Sequence, residues 1–330
     1  MSAYYLGVDV GSSKTHGMIV DQDGEILGFA QDGAGNHETV GVDEFRAVVH
    51  RVVNATRARA NLEQAPITGM GFGVAGYDWE SDLPLMRSVI DSLGLNAPYQ
   101  VVSDAMPGLI AGSRRGWGVC VTAGTGVNAR GRDETHQRLG RITGNSASFG
   151  EYGGGGELAR QAIQLISRAW SLRGEQTILT DLFCAKYGAP DATELLEGLA
   201  RGRYHIKAMD ALMVFEAADR GDAVALKLLH WSAEELANIA IGVIRQLDIQ
   251  DKAFEVILSG SLFKSGARII DVMRDEVHKV APAAEMVRLE APPCVGAVML
   301  GMEAAGIDYR PLREKLITNA RAYYHTFTNQ

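Results

Sequence analysis

The chain has 330 residues, 46% hydrophobic and 22% charged, with a formal net charge of −8 and a pI near 5.5. That length suffices for two domains, and the acidic balance argues against nucleic acid or an anionic membrane as the main partner. Three widely spaced cysteines, Cys120, Cys184 and Cys294, no N-terminal run of signal-peptide type and no stretch long enough for a bilayer predict a cytoplasmic protein with free buried thiols.

In chain order, the apolar run from Tyr4 leads into Gly7-Val8-Asp9-Val10-Gly11-Ser12-Ser13-Lys14-Thr15, then a second apolar run, Gly17 to Val20. This predicts strand, tight turn, strand. Glycines let a backbone approach a bulky ligand, and free N–H groups, hydroxyls and one lysine suit an anion. Asp9 suits a divalent metal carried by phosphates. The segment lacks the Gly-x-x-x-x-Gly-Lys-Ser/Thr and Gly-x-Gly-x-x-Gly patterns of other phosphate loops. Glu25–Ala30 continues as strand, and 33–38 is a loop holding Asn36 and His37. Val42–Ala60 carries Phe45, Val48, Val49, Val52 and Val53 at helical spacing. Met70–Gly76 predicts a buried strand, Leu83–Leu93 a helix and Tyr99–Ser103 a strand. Asp104 then opens a helix to Ser113.

The pattern repeats from Trp117: strand 118–122, turn Ala123-Gly124-Thr125-Gly126, strand 127–131 and strand 137–142. Two hairpins with hydroxyl–glycine tips, each opening an α/β unit, predict a duplicated fold with a nucleotide between the halves. We expect domains 1–114 and 115–330. Gly153–Gly156 precedes a helix from Glu157 to Leu172 and is either an anion site at a helix start or a hinge. Helical patterns reach Leu247. Strand 254–258 leads into Ser259-Gly260-Ser261, helix 262–280, strand 286–289, a small-residue helix 295–305 and a last helix from Arg310 to Tyr324, whose packing partner the sequence leaves open.

Four motifs, in order, carry a resemblance across nearly the whole chain. Gly7–Thr15 resembles the first phosphate motif of the actin, sugar kinase and heat-shock ATPase superfamily, and Thr122–Gly126 its second. Leu258–Ser261 resembles its adenosine motif, and Val295–Gly301 its connecting helix. Asn36-His37, Gly73-Val74-Ala75-Gly76, Ser103-Asp104-Ala105 and Gly124–Asn128 make it most similar to the BadF/BadG/BcrA/BcrD ATPase family, which includes N-acetylglucosamine kinases. The resemblance implies two ribonuclease H-like domains of the actin-like ATPase type, with Mg-ATP in the cleft between them. It implies phosphoryl transfer to an amino sugar or related hexose, N-acetylglucosamine or glucosamine first, and a homodimer.

It also implies Asp104 as catalytic base and Asp9 as magnesium ligand. Gly11, Ser12, Ser13, Lys14, Thr15, Gly124, Thr125, Gly126, Gly260 and Ser261 would bind ATP. Asn36, His37, Gly76, Asp104, Asn145 and Glu151 would bind the sugar. Read from the residues alone, Asp104 equally fits a helix N-cap, Glu151 fits a cap of the coming helix dipole, and Tyr77 and Trp79 fit either sugar stacking or packing. The chain departs from N-acetylglucosamine kinases at Thr143–Ser146, where their Gly-Gly-Trp-Gly tryptophan is absent, and at Glu151, where aspartate is usual. The alternatives are an ATPase activator of a 2-hydroxyacyl-CoA dehydratase, for which Cys120 has no companion cysteine, and a non-catalytic sugar or nucleotide sensor.

Overall fold

The computed structural model describes residues 2–264 and 267–328. Among the described residues, ten strands form two five-stranded sheets. The first holds β1 (Tyr4–Val10), β2 (Thr15–Asp21), β3 (Ile26–Asp32), β4 (Gly69–Val74) and β5 (Tyr99–Ser103). The second holds β6 (Gly118–Ala123), β7 (Val127–Arg132), β8 (Leu139–Arg141), β9 (Phe254–Ser259) and β10 (Ala284–Arg288). Their orders, β3-β2-β1-β4-β5 and β8-β7-β6-β9-β10, are the same pattern twice. In each, the first two strands make an antiparallel hairpin, closed at Val10–Thr15 and Ala123–Val127. The fourth and fifth run parallel to the first. The repeated strand-turn-strand of the sequence is therefore a duplicated sheet.

Among the described residues, twelve helices connect and cover the sheets: α1 (His37–Val40), α2 (Val42–Arg59), α3 (Leu83–Asp91) and α4 (Ala105–Gly112), then α5 (Gly155–Trp170), α6 (Leu179–Tyr187), α7 (Ala192–Ala200), α8 (Ala211–Asp219), α9 (Ala223–Leu247), α10 (Ala267–His278), α11 (Pro293–Ala304) and α12 (Arg313–Thr328). Most boundaries fall within two residues of the sequence reading. Two differ more. The last helix, expected from Arg310 to Tyr324, starts at Arg313 after a separate short turn, Arg310–Leu312, and runs to Thr328. The helix expected over 262–280 begins with a separate short turn, Leu262–Lys264, and its regular part starts at Ala267.

Two apolar helices lie between the sheets. Residues 105–111 of α4 and 294–302 of α11 are buried throughout, as a helix apolar on all sides must be. They meet backbone to backbone: a Cβ on Gly296 would lie 1.9 Å from the Pro107 carbonyl oxygen. The same holds where α11 meets the first sheet. A Cβ on Gly7 would stand 2.3 Å from the Val298 nitrogen, and one on Gly71 would stand 2.0 Å from the Ala297 oxygen. On its other side α4 packs its Gly112 against Ile257 of β9. Although α11 and α12 follow the second sheet, both pack on the first. Val295, Val298, Leu316, Ile317 and Ala320 share one cluster with Tyr5, Met18, Val20 and Phe29. The partner of the last helix is thus β1–β3.

Candidate active site

The pairing of β1, β4 and β5 sets Val10, Val74 and Ser103 side by side at their C-terminal ends. Chain exits there become the Gly11 turn, the Ala75-Gly76 turn and Asp104, the edge where parallel α/β sheets bind ligands. Asp104 stands at the N-cap position of α4 but makes no capping hydrogen bond. Its Oδ1 instead accepts from Asn128 Nδ2 at 3.1 Å, and Ser103 Oγ donates to it at 3.3 Å. Burial pushes its carboxyl above the ordinary range, against these hydrogen bonds and the nearby Arg130 charge. Asp9 is pushed up to about 7, first by burial and then by the Asp104 charge, with Lys14 opposing. Two carboxylates thus share a region with too little positive charge to hold both ionised.

Ser12, Ser13 and Lys14 are exposed at the first turn, which Gly11 N–H closes on the Lys14 carbonyl. Lys14 Nζ donates to the Tyr324 hydroxyl at 3.1 Å. Thr15 is a correction: its side chain is fully buried beneath Gly35, with no partner for its hydroxyl, so it faces the interior rather than a phosphate. Asn36 donates to Ser12 Oγ at 3.3 Å and caps α1 through Glu38 N–H. Gly76 lies against Asn36 and His37: a Cβ there would be 2.4 Å from Asn36 Oδ1 and 2.9 Å from His37 Nδ1, a buried ring nitrogen without a partner.

In the second half, Thr125 is exposed in a turn that Gly124 N–H closes on Gly126. The helix start expected to offer free N–H groups does not. Gly155 and Gly156 donate to the carbonyls of Gly124 and Thr125, at 2.8 and 2.9 Å, so α5 is docked on the turn. A Cβ on Gly154 would sit 2.9 Å from the Gly126 backbone, which explains the glycine run. Gly260, at φ +106°, lies against the Ala123 carbonyl, and Ser261 follows it, exposed.

Glu151 is buried. One oxygen accepts the Thr143 N–H at 2.6 Å and the other has no partner. It is bound to the 143–145 segment rather than capping α5, whose N-cap is Gly154. Asn145 is exposed and bonds only Thr143 among the described residues.

The sequence reading missed Asp78, Asn128 and Arg130. Arg130 Nη2 donates to Asp78 Oδ1 at 2.5 Å, both groups nearly dry, and Arg130 Nη1 to the Ile142 carbonyl at 2.7 Å. Burial pushes Asp78 up to about 6, with Arg130 pulling the other way. Arg141 donates to the Asp78 carbonyl and lies 4.9 Å over the Trp79 ring. The signal available was the alternation of Asn128 and Arg130 on a strand just after the turn. Trp79 is therefore stacked by an arginine, and Tyr77 is half-buried among Val74, Leu85 and their neighbours.

The BadF/BadG/BcrA/BcrD ATPase family model matches residues 6–301. The chain belongs to that family. It is 25% identical over 299 residues to the N-acetylmuramic acid/N-acetylglucosamine kinase of Clostridium acetobutylicum, covering 90% of this chain and 97% of that one. It is 24% identical over 313 residues to the N-acetyl-D-glucosamine kinase of Dictyostelium discoideum, covering 91% and 98%. Among solved structures, the fold matches a candidate N-acetylglucosamine kinase from Chromobacterium violaceum (TM-score 0.66, 23% identity, 90% and 98% covered). It also matches a ROK family glucokinase from Streptomyces griseus in complex with glucose and AMPPNP (TM-score 0.56, 17% identity, 92% and 100% covered). The chain is accordingly a phosphotransferase of the sugar-kinase class.

Proposed function

We propose that the protein transfers the γ-phosphoryl group of Mg-ATP to a hydroxyl of an amino sugar or related hexose, N-acetylglucosamine or glucosamine first. The observation that carries this reading is Asp104. It is a half-buried carboxylate with raised proton affinity, held by Asn128 and Ser103 where the strand ends meet. Phosphoryl transfer needs a positioned donor, neutralised charge and an oriented nucleophile. Asp104 accepts the proton of the acceptor hydroxyl as it attacks. The exposed turns 11–14 and 124–126, with Gly260 and Ser261, hold the nucleotide. Asn36, His37, Gly76 and Glu151 line the sugar side, two of them with buried polar atoms that lack protein partners.

Asp9 fits magnesium: it has uncompensated negative charge, and a nucleotide-borne Mg²⁺ takes few carboxylates and keeps water and phosphate oxygens. When bound, the ion would neutralise charge on the transferring phosphates. The three cysteines are free and buried, in keeping with a cytoplasmic enzyme, and no helix among the described residues is long and apolar enough to cross a membrane. A homodimer belongs to the same reading, and light scattering tests it. The dehydratase-activator alternative is weakened by Cys120, which is fully buried against Gly108 and so is poorly placed to share a cluster between subunits.

The test is coupled ADP release with Mg-ATP against N-acetylglucosamine, N-acetylmuramic acid, glucosamine and glucose. Sugar-dependent release that falls about 10²–10⁴-fold in Asp104→Ala is expected. Sugar-independent hydrolysis, or unchanged turnover in that variant, would overturn the reading.

A further inference from the structure

The last helix, α12, lies beyond the span 6–301 that the family model matches. It is nonetheless tied to the machinery of the first half at three points. At its start the buried Arg313 donates through Nη2 to the carbonyls of Ala111 and Gly112, at 2.6 and 3.0 Å. Those carbonyls end the helix that follows Asp104. In its middle, Leu316, Ile317 and Ala320 enter the core over β1–β3, and Asn319 Nδ2 donates to the Gly24 carbonyl at 3.1 Å. Near its end Tyr324 reaches the first turn. Its hydroxyl accepts from Lys14 Nζ at 3.1 Å, and its ring centre lies 5.8 Å from the same ammonium.

The ring stands edge-on to His16, with centres 5.8 Å apart, and to Phe29 at 6.0 Å. His16 pairs with Asp9 across β1 and β2, and cross-strand partners send their side chains to one face. Tyr324 therefore holds Lys14 on the face from which Asp9 emerges, and the Lys14 charge opposes the upward push on Asp9. Burial, and then the Lys14 charge, lower His16 to about 4, so the ring stays neutral and adds no second cation. A phenol suits this place. A carboxylate would cancel the ammonium charge, whereas a neutral hydroxyl orients it and takes one of its three donors, leaving two for phosphate oxygens. Lysine has a flexible stem that loses much rotamer freedom when a ligand orders it, and a partner already in place reduces that loss.

We propose that Tyr324 is a positioning residue for the nucleotide: its hydroxyl holds the Lys14 ammonium over the first turn, ready for the terminal phosphates of ATP. The proposal rests on Lys14 meeting those phosphates, as the proposed function has it. Tyr324 acts through Lys14 alone, and nothing covalent passes through it. The nucleotide site thereby extends to a helix outside the matched family span.

The test is calorimetric titration of the full chain with Mg-AMPPNP, for the parent, Tyr324→Phe, Lys14→Ala and the double variant. Phenylalanine keeps the ring against His16 and Phe29 and removes only the hydroxyl. Tyr324→Phe should weaken nucleotide binding about 3–10-fold, and Lys14→Ala about 10–100-fold. Adding Tyr324→Phe to Lys14→Ala should change the affinity by less than about twofold, because the hydroxyl then has nothing to hold. In coupled ADP release the sugar KM of Tyr324→Phe should stay at the parent value.

Unchanged or tighter nucleotide binding by Tyr324→Phe would overturn the proposal, whatever happens to its melting temperature, since a helix that merely packs would show that result. Additive losses in the double variant would overturn it too, as would a change in sugar KM alone. If Lys14→Ala binds nucleotide like the parent, the phosphate role of Lys14 falls and this inference with it. The expected binding pattern without sugar-dependent ADP release would sink the kinase reading and leave the Tyr324 assignment standing.

Discussion

The two sheets have one strand order but take their helices in opposite ways. On the first, α11 lies on β1 and β4 with main chain against main chain, through Gly7, Gly71 and Gly301. On the second, α9 presses Val243 and Leu247 into hollows over Gly131 and Gly140. Glycine is used in both. In one it removes side chains from both partners; in the other it makes room for one. The first arrangement lets α11 seat α4, and so Asp104, between itself and the second sheet, which α4 meets through Gly112 and Ile257. The second anchors a 25-residue helix by large apolar groups. A duplicated topology therefore does not dictate a duplicated interface, and the half with the smoother packing bears Asp9 and Asp104.

Four substitutions sharpen or break that contrast. The largest effect is expected at the polar stitch between the halves. Asp78→Ala leaves the Arg130 guanidinium buried without its partner, a loss of about 3–5 kcal/mol in denaturant unfolding. A change under about 1 kcal/mol would mean Arg130 finds water or another acceptor. Next is Leu247→Ala, which empties the hollow over the second sheet and should cost about 2–5 kcal/mol. Gly71→Ala adds a methyl where the Ala297 oxygen stands 2.0 Å from the ideal Cβ, and should cost about 1–3 kcal/mol as the helix is forced away. If Gly71→Ala were neutral, main-chain contact at the first sheet would not be required and the contrast would fail.

The smallest effect is a slope. Asp9 titrates near 7 in the folded protein against an ordinary value of 3.8. A raised carboxyl favours folding below its unfolded pKa, and that contribution is lost as pH rises through the folded one. The nucleotide-free protein should lose stability between about pH 4 and 7 on this account. Asn at position 9 carries no such charge, so the melting temperature of Asp9→Asn should gain on the parent as pH rises from 5 to 8. Parallel profiles would remove the uncompensated charge from which a magnesium role was argued.

The local features were legible in the sequence. Turn chemistry and apolar runs located both hairpins, and Tyr99–Ser103 matches to the residue. What escaped was long-range. Thr15 looked like part of a polar turn, but as the first residue of β2 it points inward. Gly153–Gly156 could be read as an open anion site or as a hinge, because the sequence does not reveal that the turn at 124–125 takes two of its N–H groups. Asp78 and Arg130 are separated by 52 residues, and no short motif joins them. The small residues of α11 hinted at close packing but not at which sheet. Roles proposed for Asn36, Thr125 and Glu151 rest on family resemblance and on exposed or unpaired polar atoms.

The docking of α5 onto the second turn bears on ionic strength. A helix of 16 residues ends its N-terminus on that loop, so its positive pole reaches the turn without any lysine or arginine being placed there. That pole amounts to about half an elementary charge, so salt has less to screen there than at a cluster of ammonium groups. On the proposed reading, an acidic chain would in this way receive a polyphosphate without building the basic surface that would also collect RNA. Added potassium chloride should then weaken nucleotide binding only shallowly.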